Sequence, residues 1–268
     1  MTTSTTTIGT AERQGRLWSA RSGDWADVQE PQMQPVFQQC LGDLGVSEGT
    51  RLLDVGCGAG LALRLAADRG ADVSGLDAAE GMLEHARRRV PAAPLVLGEI
   101  EQLPFGDASF DIVTGFNSFQ YAASPGRALA EAVRVIRPGG RVLAMVWGPA
   151  DQCQSAPYLA SLGKLMPPPP PGAPGPFALS DAGVLADLLR GSGLEGVEVR
   201  DAPSRWRFPD QATALRGLLS SGPAIVAIEN SGEAAAAAAV VETLTPHRLD
   251  DGSFEVQNLF RYAIGTRP

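Results

Sequence analysis

This 268-residue chain has one lysine, Lys164, two histidines, His85 and His247, and three cysteines. Each shortage removes a class of chemistry. A single lysine against 21 arginines nearly excludes lysine chemistry, and the arginine excess reflects a bias toward Ala, Gly, Pro and Arg. Two histidines leave little room for a nucleophilic triad or a metal cluster. Cys40, Cys57 and Cys153 are widely spaced without any CxxC pairing, so neither a disulfide framework nor a zinc site is indicated, and a reducing cytoplasm fits. Basic charge is not in excess either. The net charge is −8, which speaks against a nucleic-acid partner, because neutralising phosphates needs a basic face. No stretch approaches the roughly eighteen continuous apolar residues of a membrane span, and Met1 to Thr10 has neither the positive start nor the apolar centre of a signal peptide. These absences predict a soluble, cytoplasmic protein with no nucleic-acid or membrane partner.

What is present is ordinary for a globular chain: 44% apolar residues, 19% charged, and length enough for one large core plus a smaller addition. The organising stretch is LLDVGCGAG, from Leu52 to Gly60. Leu52, Leu53 and Val55 read as a buried strand. Gly56, Gly58 and Gly60 then remove three side chains within five residues, so the backbone can bend sharply and a ligand can approach it closely. Leu61, Leu65 and Ala66 continue at helical spacing to a stop at Gly70. Strand, glycine turn and helix make a nucleotide-binding arrangement. The dinucleotide fingerprint needs a third glycine three residues after the second; Leu61 stands there, which argues against a nicotinamide or flavin cofactor. Asp77 closes the next predicted strand, ADVSGLD, where a ribose diol would need a bidentate acceptor.

DVGCGAG followed by GLDAAEGML resembles the first two motifs of class I S-adenosylmethionine-dependent methyltransferases. The resemblance continues in order to about Trp147, through EQLPF, SFDIV and the helix SPGRALAEAVRVIRPGG with its RPGG exit. Similar sequences include the small-molecule enzymes of ubiquinone and menaquinone biosynthesis and many tailoring enzymes of secondary metabolism. The resemblance implies an α/β fold: a doubly wound, seven-stranded, mostly parallel Rossmann-like sheet with N-terminal helices and a helical cap inserted between the last two strands. The expected layout is a flexible tail at 1–15, an N-terminal helical lid at 16–48 and a cofactor-binding core at 49–208 and 252–268. A Pro-rich loop is expected at 149–178 and a helical substrate cap at 209–251.

The same resemblance implies that S-adenosylmethionine is held by Asp54, Gly56, Gly58 and Gly60 of the first motif and by Asp77. Ala78 and Met82 would flank the adenine, while Glu99 and Ile100 would meet its amino group and ring, Glu standing where Asp is commoner. Asn117, at the end of strand FDIVTGF, begins Asn-Ser-Phe-Gln rather than Asn-Pro-Pro-Tyr, which weakens a reading as a DNA, glutamine or adenine N-methyltransferase. Asn117, Phe119 and Gln120 are candidates for the boundary between cofactor and substrate. Trp18 and Trp25, seven residues apart at helical spacing, either pack on the core or cover a bound ligand. Trp147 either floors a substrate pocket or fills the sheet edge. His85 reads as a surface or satisfied helix residue, whereas His247 in the expected cap is the only histidine placed to accept a substrate proton. No metal ligands and no catalytic residue are assigned.

The expected activity is methyl transfer to an oxygen or carbon of a small, hydrophobic acceptor, yielding S-adenosylhomocysteine. Three alternatives stay open. The same pocket can promote a cyclisation or rearrangement without methyl transfer, the fold can serve as a binding module, or the protein can be a dehydrogenase despite Leu61.

Overall fold

The computed structural model describes residues 9–168 and 175–268. Residues 1–8 of the expected tail and 169–174 of the proline-rich stretch lie outside them.

At the amino end come α1 (Ala11–Ser19), the single turn α2 (Ser22–Asp24), a π-helical turn (Trp25–Gln29), a 3-10 turn (Glu30–Met33) and α3 (Gln34–Asp43). Strands and helices then alternate: β1 (Arg51–Val55), α4 (Leu61–Ala67), β2 (Asp72–Asp77), α5 (Glu80–Arg89), β3 (Leu95–Leu97), β4 (Phe110–Phe116), α6 (Pro125–Val135) and β5 (Ile136–Trp147). After α7 (Ala156–Leu165) and α8 (Ala182–Gly191), β6 (Glu195–Phe208) and β7 (Phe254–Thr266) enclose α9 (Gln211–Leu218), α10 (Gly222–Ser231) and α11 (Glu233–Leu244). The seven strands form one sheet in the order β3-β2-β1-β4-β5-β7-β6. β1 to β5 pair in parallel, and β7 runs antiparallel between β5 and β6.

Strand alternation sorts the core into two layers. Leu52, Ile112, Leu143 and Met145 face α3, α4 and α5, where Phe37, Cys40, Leu41, Leu63 and Leu83 are buried. Their neighbours Leu53, Val113, Val142 and Ala144 face α6 and α8 through Leu129, Ala132, Leu185 and Leu189. Truncating one of these fully enclosed leucines to Ala costs about 2–5 kcal/mol.

Three local expectations shift. Helix α1 begins at Ala11, inside the stretch expected as tail, because the Glu99 carboxylate accepts hydrogen bonds from Thr10 N and Ala11 N, each 2.8 Å, and so caps it from across the fold. Trp18 and Trp25 do not share one helix face, since the helix breaks at Ala20 and Arg21, yet their rings meet edge-on at 4.9 Å. The Pro-rich stretch contains α7: Pro157 occupies its first turn, where a missing N–H costs nothing, and Tyr158 and Leu162 are buried. Asp181 caps α8 by accepting Gly183 N and Val184 N, and Val184 faces outward.

Candidate active site

All the relevant loops meet at the carboxyl ends of the parallel strands, where open α/β sheets bind ligands. There a cavity runs from the tips of β1, β2 and β3 to those of β5, β6 and β7.

The first half is built on the glycine turn. Gly56, Gly58 and Gly60 all have positive φ, +72°, +54° and +84°. Only Gly56 and Gly58 line the cavity. A Cβ on Gly56 would stand 2.4 Å from Ser118 Cβ, whereas one on Gly58 would keep 3.3 Å from Glu30 Oε1 and 3.8 Å from Trp25 Nε1. Asp77 ends β2 beside this turn, its Oδ2 accepting Gly58 N and its Oδ1 accepting Ala79 N, both at 2.8 Å. Burial pushes its pKa up, and the amides of Ala79, Gly58 and Ala78 oppose the rise. Each carboxylate oxygen keeps a further lone pair for a ligand hydroxyl. Ala78, Met82 and Ile100 add apolar wall, and Glu99 lines the cavity while capping α1. Asn117 also lines it, at φ +53°, with its Oδ1 buried and unpartnered. A non-glycine residue in that conformation is a strained position of the kind found at ligand clamps.

A roof of N-terminal residues closes this half. Trp18 and Trp25 line the cavity and pack against Ala26, Ala59, Ala79 and Met82. Glu30 fastens the roof: Oε1 accepts Ala59 N at 3.1 Å, and Oε2 pairs with Arg89, which also donates to Ala59 O at 3.0 Å and Ala26 O at 2.7 Å. Despite that partner, burial pushes the Glu30 pKa up to about 7. Sequence reading missed Glu30 and Arg89, which lie 59 positions apart.

The second half is aromatic. Trp147 stacks on Phe260 with centroids 4.7 Å apart and meets Trp206 edge-on at 5.7 Å. Tyr121 reaches the cavity from the loop after β4, and burial pushes its phenol up to about 12. Tyr158 donates to Leu218 O at 2.5 Å. Among the described lining residues the charged side chains are Asp77 and Glu99, both in the first half.

Asp54, Gly60, Phe119, Gln120 and His247 stand outside this cavity. Asp54 lies beneath the glycine turn, 1% exposed, where its Oδ1 accepts Thr114 Oγ1 at 2.7 Å and ties β1 to β4; burial pushes its pKa up to about 8. A Cβ on Gly60 would come within 2.9 Å of Ala86 Cα, so its bareness lets α5 pack close. Phe119 is turned into the layer of Val113 and Leu129, over Gly115, by the 3-10 turn Phe119–Tyr121. That turn leaves Tyr121 rather than Gln120 at the cavity. His247 lines a separate surface depression with Cys153 and Gln257.

Residues 53–144 match the family described as methyltransferase domain. Malonyl-[acyl-carrier protein] O-methyltransferase of Serratia marcescens is 44% identical over 108 residues, 40% of this chain and 42% of that protein. O-methyltransferase cnsE of Penicillium expansum is 31% identical over 186 residues, 67% of this chain and 64% of its own. Among solved structures, the [4+2]-cyclase SpnF shares the fold at a TM-score of 0.57 and 21% identity, covering 88% of this chain and 81% of its own. The chain spans less than half the length of the first curated relatives it matches, 42% and 20%. Residues 53–144, which hold the glycine turn, Asp77 and Asn117, thus carry a methyltransferase domain, whose cofactor is S-adenosylmethionine. Among the described residues no helix is long and apolar enough to cross a membrane.

Proposed function

We propose that the chain transfers a methyl group from S-adenosylmethionine to an oxygen or carbon of a small, neutral, hydrophobic metabolite, as a tailoring enzyme of secondary metabolism does. The observation that carries this reading is the division of one cavity into two unlike halves. The glycine-turn half offers a carboxylate at Asp77, apolar walls at Ala78, Met82 and Ile100, and the unpartnered Asn117 Oδ1, which fit a ribose, a flat base and a polar tail. The other half is aromatic and uncharged among its described residues.

When bound, the cofactor supplies a methyl group already activated by its sulfonium charge. The chain's task is therefore to align and to exclude water. Asp77 fixes the cofactor half, while Trp18, Trp25 and the Glu30–Arg89 latch hold the roof over it. Trp147, Trp206 and Phe260 shape the acceptor half. Burial keeps the Tyr121 phenol protonated at neutral pH, so it can hydrogen-bond an acceptor but is not a phenolate base. The described lining includes no histidine, consistent with transfer driven by proximity.

The test is calorimetric titration of the protein with S-adenosylmethionine and S-adenosylhomocysteine, with mass spectrometry of any ligand that copurifies. Binding of both is expected, and binding of neither would sink the assignment. During turnover, S-adenosylhomocysteine should be released mole for mole with product. Product without it would instead favour a rearrangement.

A further inference from the structure

The acceptor half contains two polar atoms that the protein itself leaves unused. Trp206 Nε1 and Gln29 Oε1 are both buried without a hydrogen-bond partner, and each residue is 4% exposed and lines the cavity. Their hydrogen-bonding senses are opposite: an indole N–H only donates, and an amide oxygen only accepts. A buried polar group without a partner destabilises the fold by about 1–3 kcal/mol, and native proteins carry few of them.

The surroundings of each atom are built rather than accidental. Gln29 ends the π-helical turn Trp25–Gln29, an irregularity frequent at functional sites. Facing it on α9 is Gly217, another cavity residue, where a Cβ would stand 3.1 Å from Gln29 Oε1 and 2.9 Å from Val28 Cγ1. A larger residue at 217 would crowd the amide. Trp206 is held by the edge contact with Trp147, and the Trp147–Phe260 stack stands beside it. The aromatic walls favour a planar ring, and the absence of charge among the described lining of this half disfavours an anion or a cation.

We propose that Gln29 and Trp206 determine specificity for a neutral, planar aromatic acceptor carrying a hydroxyl group, which donates to Gln29 Oε1 or accepts from Trp206 Nε1. This rests on the methyltransferase reading for the identity of the neighbouring half, but not for the chemistry of the aromatic one. Neither residue is a catalytic residue; both act by recognising ring substituents.

Three probes with one ring system test it: 2-naphthol, which is neutral and hydroxylated, 2-methylnaphthalene, which is neutral and apolar, and 2-naphthoate, which is anionic. Their affinities are measured by equilibrium dialysis for the full chain, with and without saturating S-adenosylhomocysteine. The expected order is 2-naphthol tightest and 2-naphthoate weakest. Trp206→Phe keeps an aromatic ring and removes the N–H, while Gln29→Leu removes the acceptor. At least one of these variants should weaken 2-naphthol about tenfold and leave 2-methylnaphthalene within twofold. Equal binding of 2-naphthoate and 2-naphthol by the native chain would overturn the proposal, as would an unchanged preference for naphthol over methylnaphthalene in both variants. Failure of S-adenosylhomocysteine to bind, with the naphthol preference intact, would refute the cofactor assignment and leave this proposal standing.

Discussion

Replacing Asp77 with Ala separates what this carboxylate does for the fold from what it does for the cofactor. In the protein alone it accepts two backbone amides, Gly58 N and Ala79 N, each at 2.8 Å. Leaving a buried donor unpaired costs about 1–3 kcal/mol. Both amides lie beside the cavity, where water can take the place of the carboxylate, so the lower end applies and the sum is about 2 kcal/mol. Part of that is returned, because burial already disfavours the Asp77 charge. A melting-temperature drop of a few degrees is the expected structural effect. The effect on binding is larger. Two charge-assisted hydrogen bonds to a ribose diol contribute about 1.5–3 kcal/mol each. Their loss weakens S-adenosylhomocysteine by at least about 3 kcal/mol, or roughly a hundredfold. Calorimetric titration of native and Asp77→Ala protein, with thermal melts of each without ligand, measures both quantities. A folded variant that binds within threefold of the native affinity would refute the placement of the ribose at Asp77.

Gly58→Val should abolish cofactor binding while far-UV circular dichroism stays native. The left-handed conformation costs a β-branched residue at least about 1–2 kcal/mol, and the side chain would enter the space between Glu30 and Trp25. Undiminished affinity would show that no ligand approaches this backbone. Asp54 is protonated when folded up to about pH 8, against an ordinary value of 3.8. The folded state therefore binds more protons across that window, and stability falls as pH rises by up to about 1.4 kcal/mol per unit, levelling off above pH 8. Asp54→Asn should melt with a flatter pH profile between 5 and 8 than the native chain; parallel profiles would contradict a buried, neutral Asp54. Glu99→Ala removes the cap on α1, so amide hydrogen exchange of residues 11–15 should accelerate at least tenfold while that of β4 stays unchanged. Equal protection of α1 would mean that packing, not this carboxylate, holds the helix.

Much of the architecture was legible in local sequence because it depends on local rules. Leu52, Leu53 and Val55 gave the first strand, the glycines after it gave the turn that ends β1, and Leu61, Leu65 and Ala66 gave α4 by helical spacing. The sheet and its cavity rim were implied by the resemblance of DVGCGAG, GLDAAEGML and the RPGG exit to methyltransferase motifs. What local reading could not decide is which member of a short loop faces the ligand. Phe119 and Gln120 differ from Tyr121 by one or two positions, and a single 3-10 turn decides among them. Asp54 reads as a motif residue, but the strand's alternation and the approach of Thr114 from β4 seal it beneath the turn.

The sequence by itself determined the order of strands and helices, the glycine turn and the acid at the end of β2, because each is set by residues within one or two turns of chain. Only the tertiary structure decided that Glu99 caps a helix 89 positions earlier, that Glu30 meets Arg89 over the glycine turn, and that Gln29 and Trp206 end in one cavity without partners. The physical reason is that a polar group's partner, or its lack of one, is a property of the packed neighbourhood. No window of sequence contains that neighbourhood until the chain has closed on itself.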